Sequence, residues 1–372
     1  MNERYIGLMS GTSLDGVDGV LVEWDSADVQ SMRVLAHAHL PFEPALAAEL
    51  LALNTRGADE LHRAALAGNA LARLYAAAAA QLLERAGVSA TEVRAIGAHG
   101  QTVRHRPQQF DGSGYTLQLN SPALLAELSG IDVVADLRSR DLAAGGQGAP
   151  LVPAFHRALF GRPGEALAVL NLGGIANLTL LGADGSVTGF DCGPANALLD
   201  HWVSRHRGEA FDADGRWAAS GQVDAALLAS FQDEPYFEQA PPKSTGRDLF
   251  HPEWLAKHLA ARGAIAAVNV QATLAELTAW ACARDLRRYL STAEDLLVCG
   301  GGAFNGHLMQ RLAMHLPGVR VGSTAQRGLP PDQVEACAFA WLARAFMHRE
   351  PASLPSVTGA RGARVLGGLY PR

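Results

Sequence analysis

The residues best suited to chemistry lie in a few short, glycine-containing segments. The first is S-G-T-S-L-D-G-V-D at residues 10–18. Glycines let a backbone turn tightly and approach a ligand closely. Successive N–H groups, with the hydroxyls of Ser10, Thr12 and Ser13, can cradle phosphate oxygens. Asp15 and Asp18 can hold Mg²⁺ through water, because Mg²⁺ keeps several of its waters. A plain hairpin turn uses the same residue types. This segment alone serves both readings about equally.

Two further segments follow. N-L-G-G-I-A-N at residues 171–177 precedes G-F-D-C-G-P-A-N at residues 189–196. Asp191, at a strand end before a Gly-Pro turn, is placed to act as a base. The plainer reading makes Asp191 a helix cap, which Asp residues often are. Gly300, Gly301 and Gly302 precede Asn305, which reads as the cap of the next helix. A flat ring or a phosphate can lie on such a backbone, and so can a closely packed helix. A fourth group joins His99, Gln101 and Thr102 to Arg138, Arg140 and Asp141. Amides, hydroxyls and guanidinium forks suit a polyhydroxylated, carboxylated ligand. A surface ion-pair group is the alternative, and His99 alone reads as a structural histidine. Glu335, on an otherwise apolar helix, faces either solvent or a cleft. K-S-T-G-R at residues 243–247 is not a Walker A loop, because the order is wrong. Its two cations can meet an anion, but alone it reads as a solvated loop.

These segments need elements to position them. Residues 5–9 and 17–24 read as strands flanking the first turn, a hairpin. Residues 59–86 have helical spacing, and the alanine run within them favours helix. Residues 93–98 and 131–135 read as buried strands, with a short helix between them capped by Ser121. Residues 166–170 and 178–181 repeat the strand–turn–strand theme around the second glycine segment. Such an echo points to a duplicated domain rather than a many-unit solenoid. Residues 295–299 form a strand before the three glycines, and helices are expected over 270–290, 305–315 and 332–347. Strands alternating with helices indicate an α/β fold.

Composition narrows the function. The 372 residues exceed one ordinary core, so two domains are expected, with a boundary near residue 133. Hydrophobic residues at 48% allow a large core. A net charge of −6, without basic stretches, disfavours a nucleic-acid partner. The four cysteines form no C-x-x-C pair, and the thirteen histidines show no zinc spacing. Reduced thiols are therefore expected. No apolar run is long enough to span a membrane, and no apolar signal segment opens the chain. A cytoplasmic location is the expectation.

The full string of motifs is specific. S-G-T-S-L-D-G-V-D, H-G-Q-T, R-S-R-D-L-A-A-G-G-Q-G-A-P-L, N-L-G-G-I-A-N, F-D-C-G-P-A-N, K-S-T-G-R-D-L-F, C-G-G-G-A-F-N and E-A-C-A-F-A follow in order from residue 6 to about residue 345. Together they resemble the anhydro-N-acetylmuramic acid kinases of the actin-like sugar kinase superfamily. The resemblance implies two actin/hexokinase-like (ribonuclease H-like) α/β domains with a central cleft, residues 1–133 and 134–372. The last helix would pack back on the first domain. It implies an ATP-dependent kinase acting on 1,6-anhydro-N-acetylmuramic acid in peptidoglycan recycling. Asp191 would be the base that activates water. Gly11, Thr12, Ser13, Leu14, Asp15, Gly16, Val17, Asp18, Asn171, Gly173, Gly174, Asn177, Gly300, Gly301, Gly302 and Asn305 would bind ATP. Gln101, Thr102, Arg138, Arg140 and Glu335 would bind the sugar. Mg²⁺ would arrive with ATP, without direct protein ligation. Wider relatives carry an Asp on the first strand where this chain has Met9, which shifts the metal contact to Asp15, Asp18 or Asp191. The turn after Asp191 reads C-G-P-A-N where the family often has T-G-P-G-N, a change between small residues. Relatives suggest a homodimer. Two other functions compete with this one: an acyl-phosphate kinase, and a silent ATP-gated sugar-binding protein. The R-S-R-D and F-D-C-G-P segments disfavour the first. Intact Asp191 and Glu335 disfavour the second.

Overall fold

Short apolar runs rich in Val, Leu and Ile, broken by polar glycine turns, pair as strands because their side chains suit a buried pleated surface. The computed structural model describes residues 2–11, 13–25, 28–246 and 249–372. Its strands in chain order are β1 (Glu3–Met9), β2 (Gly16–Trp24), β3 (Arg33–Pro41), β4 (Val93–Ala98), β5 (Gln101–Pro107), β6 (Gly114–Leu119), β7 (Val133–Ala135), β8 (Leu167–Leu172), β9 (Ile175–Leu181), β10 (Val187–Pro194), β11 (Asp295–Cys299), β12 (Arg320–Ser323) and β13 (Gly368–Tyr370).

The chain divides into two compact units, Met1–Phe160 with Gln333–Arg372, and Gly161–Asp332. The division falls well beyond the boundary expected near residue 133. β7 starts there, but it pairs with β4 inside the first sheet. The helix Val152–Phe160 also belongs to that unit. The C-terminal segment returns to the first unit, where β13 pairs with β7.

Both units use one strand plan. The first sheet has the order β13-β7-β4-β1-β2-β3, and the second β10-β9-β8-β11-β12. In the first, β1, β2 and β3 form an antiparallel meander, while β4 runs parallel to β1 and β7 parallel to β4. In the second, β8, β9 and β10 form the meander, and β11 and β12 extend it in parallel. β5 and β6 form a separate hairpin.

Helices cover these sheets. Glu60–Ala86 buries Leu71, Tyr75 and Leu82 in the first core. It ends at Gly87 (φ 63°), where the Val88 N–H reaches the Leu83 carbonyl at 3.0 Å. Ser121 precedes the helix Pro122–Ser129, but its side chain makes no capping hydrogen bond. In the second unit Ala267–Tyr289 is buried along most of its length, including the polar Gln271, Thr273, Thr278 and Asp285. Among the described residues no helix is long and apolar enough to cross a membrane.

The helix Val334–Met347 lies on the first sheet with backbone against backbone. A Cβ at Gly7 would sit 1.9 Å from the Ala336 carbonyl oxygen, and one at Gly97 would sit 2.0 Å from that of Phe339. No rotamer relieves such a clash, because both partners are main chain. Gly7→Ala is therefore expected to cost about 3 kcal/mol in urea unfolding, the upper range for overpacking. Gly263→Ala, where nothing lies within 4 Å, is the control and should stay within about 0.5 kcal/mol. Equal midpoints for the two variants would contradict the close contact.

Candidate active site

In the first unit, Ser10 ends β1 and is buried. Its hydroxyl donates to the Gly100 carbonyl (3.2 Å) and lies 3.1 Å from the Tyr75 hydroxyl. The Gly100 N–H donates to that same tyrosine oxygen at 3.1 Å. This circuit pins the first turn to the end of β4. Ser10 thus has its hydroxyl engaged within the fold. Thr12 lies outside the described residues. Gly16 and Val17 are buried in β2 and paired with β3. The open turn consists of Gly11, Ser13, Leu14 and Asp15, closed by the Leu14 N–H on the Gly11 carbonyl at 3.3 Å. The Ser13 hydroxyl donates to Asp15 Oδ1 at 2.8 Å.

Asp18 stands opposite Met9 on β1 and His39 on β3. Burial raises its carboxyl, but hydrogen bonding and charge from His37 and His39 outweigh that and leave it lowered. His39 Nδ1 is 2.9 Å away. Glu335 sits half-buried in the first turn of Val334–Met347. Burial raises its carboxyl, the charges of Asp18 and Asp15 add to this, and Arg138 opposes it.

Arg138 is committed to the protein. Its Nε and Nη2 lie 3.2 and 2.9 Å from His99 Nε2, and its Nη1 donates to the Gly148 carbonyl at 2.8 Å. Burial brings it down to about 10, against the pull of Glu335 and Asp141. His99 accepts on Nε2, so its proton sits on Nδ1. Burial, then Arg138, hold it well below the ordinary histidine value. Asp141 is buried and takes the Gly148 N–H (2.8 Å) and the Thr358 hydroxyl (2.9 Å). This is structural bonding rather than a surface ion-pair group. Arg140 is exposed, and its guanidinium has no partner among the described residues. Gln101 donates from Nε2 to the Gly11 carbonyl at 3.1 Å, while its buried Oε1 has no partner among the described residues. The Thr102 hydroxyl accepts from Gln118 at 3.1 Å.

In the second unit the register builds a row of polar side chains. Asp191 on β10 faces Asn177 on β9, which faces Asn171 on β8. Directly opposed strand residues share one face, so the three stand side by side. Asp191 caps no helix, since the next helix, Asn196–Arg207, has Ala195 at its cap. Its Oδ2 instead accepts the Thr245 N–H at 3.0 Å. Burial raises this carboxyl to about 6, although the Thr245 N–H and the charge of Lys243 pull it down. Lys243 is buried and paired with Asp285 at 2.8 Å, so the K-S-T-G segment is anchored rather than solvated. Arg247 lies outside the described residues.

The glycines divide into two kinds. A Cβ at Gly300 would sit 2.4 Å from Asn171 Oδ1, and one at Gly302 would sit 2.5 Å from Leu172 Cβ. Packing alone requires glycine there. A Cβ at Gly173, Gly174 or Gly301 would meet nothing closer than 3.6 Å, so packing does not demand glycine there, although the Gly173 and Gly174 carbonyls accept the N–H groups of Ala195, Asn196 and Ala197. Among the described residues Asn171 Oδ1 is buried without a partner, as is the Thr245 hydroxyl. Uncrowded glycine backbone fits a nucleotide phosphate, while the Asn171 oxygen, an acceptor, calls for a donor. Asn305 caps the helix Gly306–His315, accepting the Leu308 N–H at 2.9 Å. Among the described residues no group of three or more His, Cys, Asp or Glu side chains could hold a metal directly. The four cysteines are buried, and among the described residues none is disulfide-bonded.

Sequence reasoning missed Tyr75, Tyr236, Thr245 and Asp285. Only the K-S-T-G spelling gave a signal, and it did not reveal the partner of Lys243.

Two sheets of one strand order, each with a glycine-containing turn at the end of its central strand, define the ribonuclease H-like α/β class of actin- and hexokinase-like proteins. The family model described as anhydro-N-acetylmuramic acid kinase matches residues 3–372. Relatives named anhydro-N-acetylmuramic acid kinase include one from Variovorax paradoxus (strain S110), 64% identical over 99% of both chains. Another, from Albidiferax ferrireducens, is 60% identical over 100% of both. A third, from Cupriavidus pinatubonensis, is 59% identical over 100% of this chain and 99% of its own. The chain belongs to the anhydro-N-acetylmuramic acid kinase family.

The raised Asp191 carboxyl has a consequence for stability. The folded protein holds this proton more tightly than the unfolded chain, whose aspartates titrate near about 4. That contribution is complete below the unfolded value and is lost as pH rises through about 6. Asp191→Asn does not titrate, so it should gain stability relative to the parent between pH 4.5 and pH 7. Urea midpoints of both proteins across that range check this, and a constant gap would contradict the raised carboxyl.

Proposed function

We propose that the chain converts 1,6-anhydro-N-acetylmuramic acid, ATP and water to N-acetylmuramic acid 6-phosphate and ADP. Family membership over nearly the whole chain supports the substrate. The observation that carries the chemistry is Asp191, a half-buried carboxyl raised to about 6 and aimed by the Thr245 N–H. A base of that strength is ionised at neutral pH and still takes a proton readily.

In this reading Asp191 takes a proton from water as the water oxygen bonds to the anomeric carbon. The bond from that carbon to O6 breaks, and O6 takes the γ-phosphoryl of ATP as ADP leaves. Phosphoryl transfer asks mainly for positioning and charge neutralisation. Gly173, Gly174 and Gly301 offer backbone N–H groups to phosphate oxygens, while Asn171 Oδ1, an acceptor, suits a ligand O–H or N–H. Gly11, Ser13 and Asp15 form the corresponding open turn of the first unit. Asp15 and Asp18 are the carboxylates that would hold Mg²⁺ through water, and the ion would neutralise phosphate charge.

For the sugar, the unpartnered Gln101 Oε1 suits a hydroxyl or an amide N–H. Arg140, exposed and unpaired, is better suited to the ligand carboxylate than Arg138, whose fork is taken by His99 and Gly148. Arg138 instead holds the surroundings of Glu335. The same reading makes the cytoplasm the place of action and a homodimer the working form. Light scattering on the purified chain checks the latter, and a monomer mass contradicts it.

The decisive assay mixes protein, Mg-ATP and the anhydro-sugar and follows ADP. Sugar-dependent ADP release is expected, and its absence would sink the proposal. Asp191→Asn should lower kcat by about 10³-fold, as expected for loss of a general base. The acidic limb of kcat/KM should titrate near 6 and vanish in that variant.

A further inference from the structure

The segment that aims Asp191 is itself held by a buried ion pair. Lys243 Nζ lies 2.8 Å from Asp285 Oδ2, and the two side chains are only 1% and 2% exposed. The ammonium also faces the rings of Tyr236 at 5.0 Å and Phe190 at 5.6 Å. Taking both charges out of water costs heavily, and apolar residues of similar volume often serve stability as well. Stability alone is therefore a poor account of the pair.

Its geometric consequence is specific. The Asp191 N–H donates to the Lys243 carbonyl at 3.3 Å. The Asp191 carbonyl accepts from the Tyr236 hydroxyl at 2.7 Å. The Asp191 carboxylate accepts from the Thr245 N–H at 3.0 Å. Lys243, its neighbour Thr245, and the ring under its ammonium thus grip Asp191 at all three polar positions. Asp285 fastens this segment to the helix Ala267–Tyr289. On that helix the Thr278 hydroxyl donates to the Pro194 carbonyl at 3.0 Å, which steadies the turn after Asp191.

We infer that the Lys243–Asp285 pair is a positioning device for Asp191, fixing the segment that sets the direction of its carboxylate. Both side chains are buried, so neither acts on the ligand itself. The inference rests on reading Asp191 as the base. The charged and titratable groups around Asp191 are Lys243, Tyr236 in the turn Pro235–Glu238, Cys192 on β10, and Asp285 with Cys282 on the helix. Lys243 is the cation among them.

Lys243→Met alone leaves a buried carboxylate unpaired, so the test uses Lys243→Met/Asp285→Leu, which removes both charges at similar volume. The double variant is expected to fold, by circular dichroism and melting. Its kcat should fall by about 10-fold or more, a scale that small misplacements reach. KM for both substrates should stay within about 3-fold, since binding is not what is lost. The acidic limb of kcat/KM should move to higher pH, because the cation that lowers the Asp191 carboxyl is gone. A folded double variant with unchanged kcat and an unmoved limb would overturn the inference. Should the double variant not fold, Asp285→Glu decides. It keeps both charges but displaces Lys243, so kcat should fall by about 3-fold or more with the limb in place. An unchanged kcat would overturn the inference. Asp191→Asn, run in parallel, separates the two readings. Full activity there removes the base assignment. An inactive Asp191→Asn beside a fully active double variant removes only the positioning role.

Discussion

Where main chain packs directly on main chain, no side chain can adjust, and the positions of everything attached are set to within a fraction of an ångström. The helix Val334–Met347 meets β1 and β4 in this way at Gly7 and Gly97. Glu335 precedes the residue that touches Gly7, so its carboxyl comes under the influence of Asp18, Asp15 and Arg138. The second unit uses the same device. Gly300 and Gly302 let the turn Gly301–Phe304 settle against Asn171 and Leu172 at the end of β8. In both units the tight contact stands beside an open glycine turn. A rigid base thus supports a backbone left free for a ligand.

The carboxylates show how competing terms give different outcomes. Asp18 and Asp191 are both drawn upward by burial. Asp18 ends below the ordinary range because two histidines hydrogen-bond to it. Asp191 ends near 6 because one N–H and one cation only partly offset the burial. Glu335 is raised without any direct hydrogen-bonded cation, since Arg138 spends its fork on His99 and Gly148. Groups pushed apart in this way are suited to different tasks at one pH. Among them only Asp191 combines a raised value with a donor that fixes its direction.

β1, β2, β4, β7, β8, β9 and β11, the long helices and the repeated hairpin are legible in the sequence, because they follow from local periodicity and turn chemistry, whereas β3, β5, β6, β12 and β13 carry no such signal. β11 at Asp295–Cys299 and the Asn305 cap needed no more than that. The site was legible as segments but not as contacts. Along the chain Ser10 reads as one of the hydroxyls of a phosphate turn, whereas its engagement with Tyr75 and Gly100 is visible only in the fold. Arg138 and Arg140, two positions apart, looked interchangeable, yet one is committed to His99 and the other is exposed. The observed division lies beyond the boundary expected near residue 133, because β7 and the returning C-terminal segment join the first sheet through pairings distant in sequence.

The sequence by itself determined the family and the order of the glycine turns, since both rest on residue identities read along the chain. Only the tertiary structure decided which glycines are needed for packing and which are not. It also lined Asp191, Asn177 and Asn171 in one row, and enclosed Lys243 with Asp285 behind them. The reason is physical: burial, register and charge pairing depend on distances between residues far apart in the chain, and local propensity carries no information about those distances.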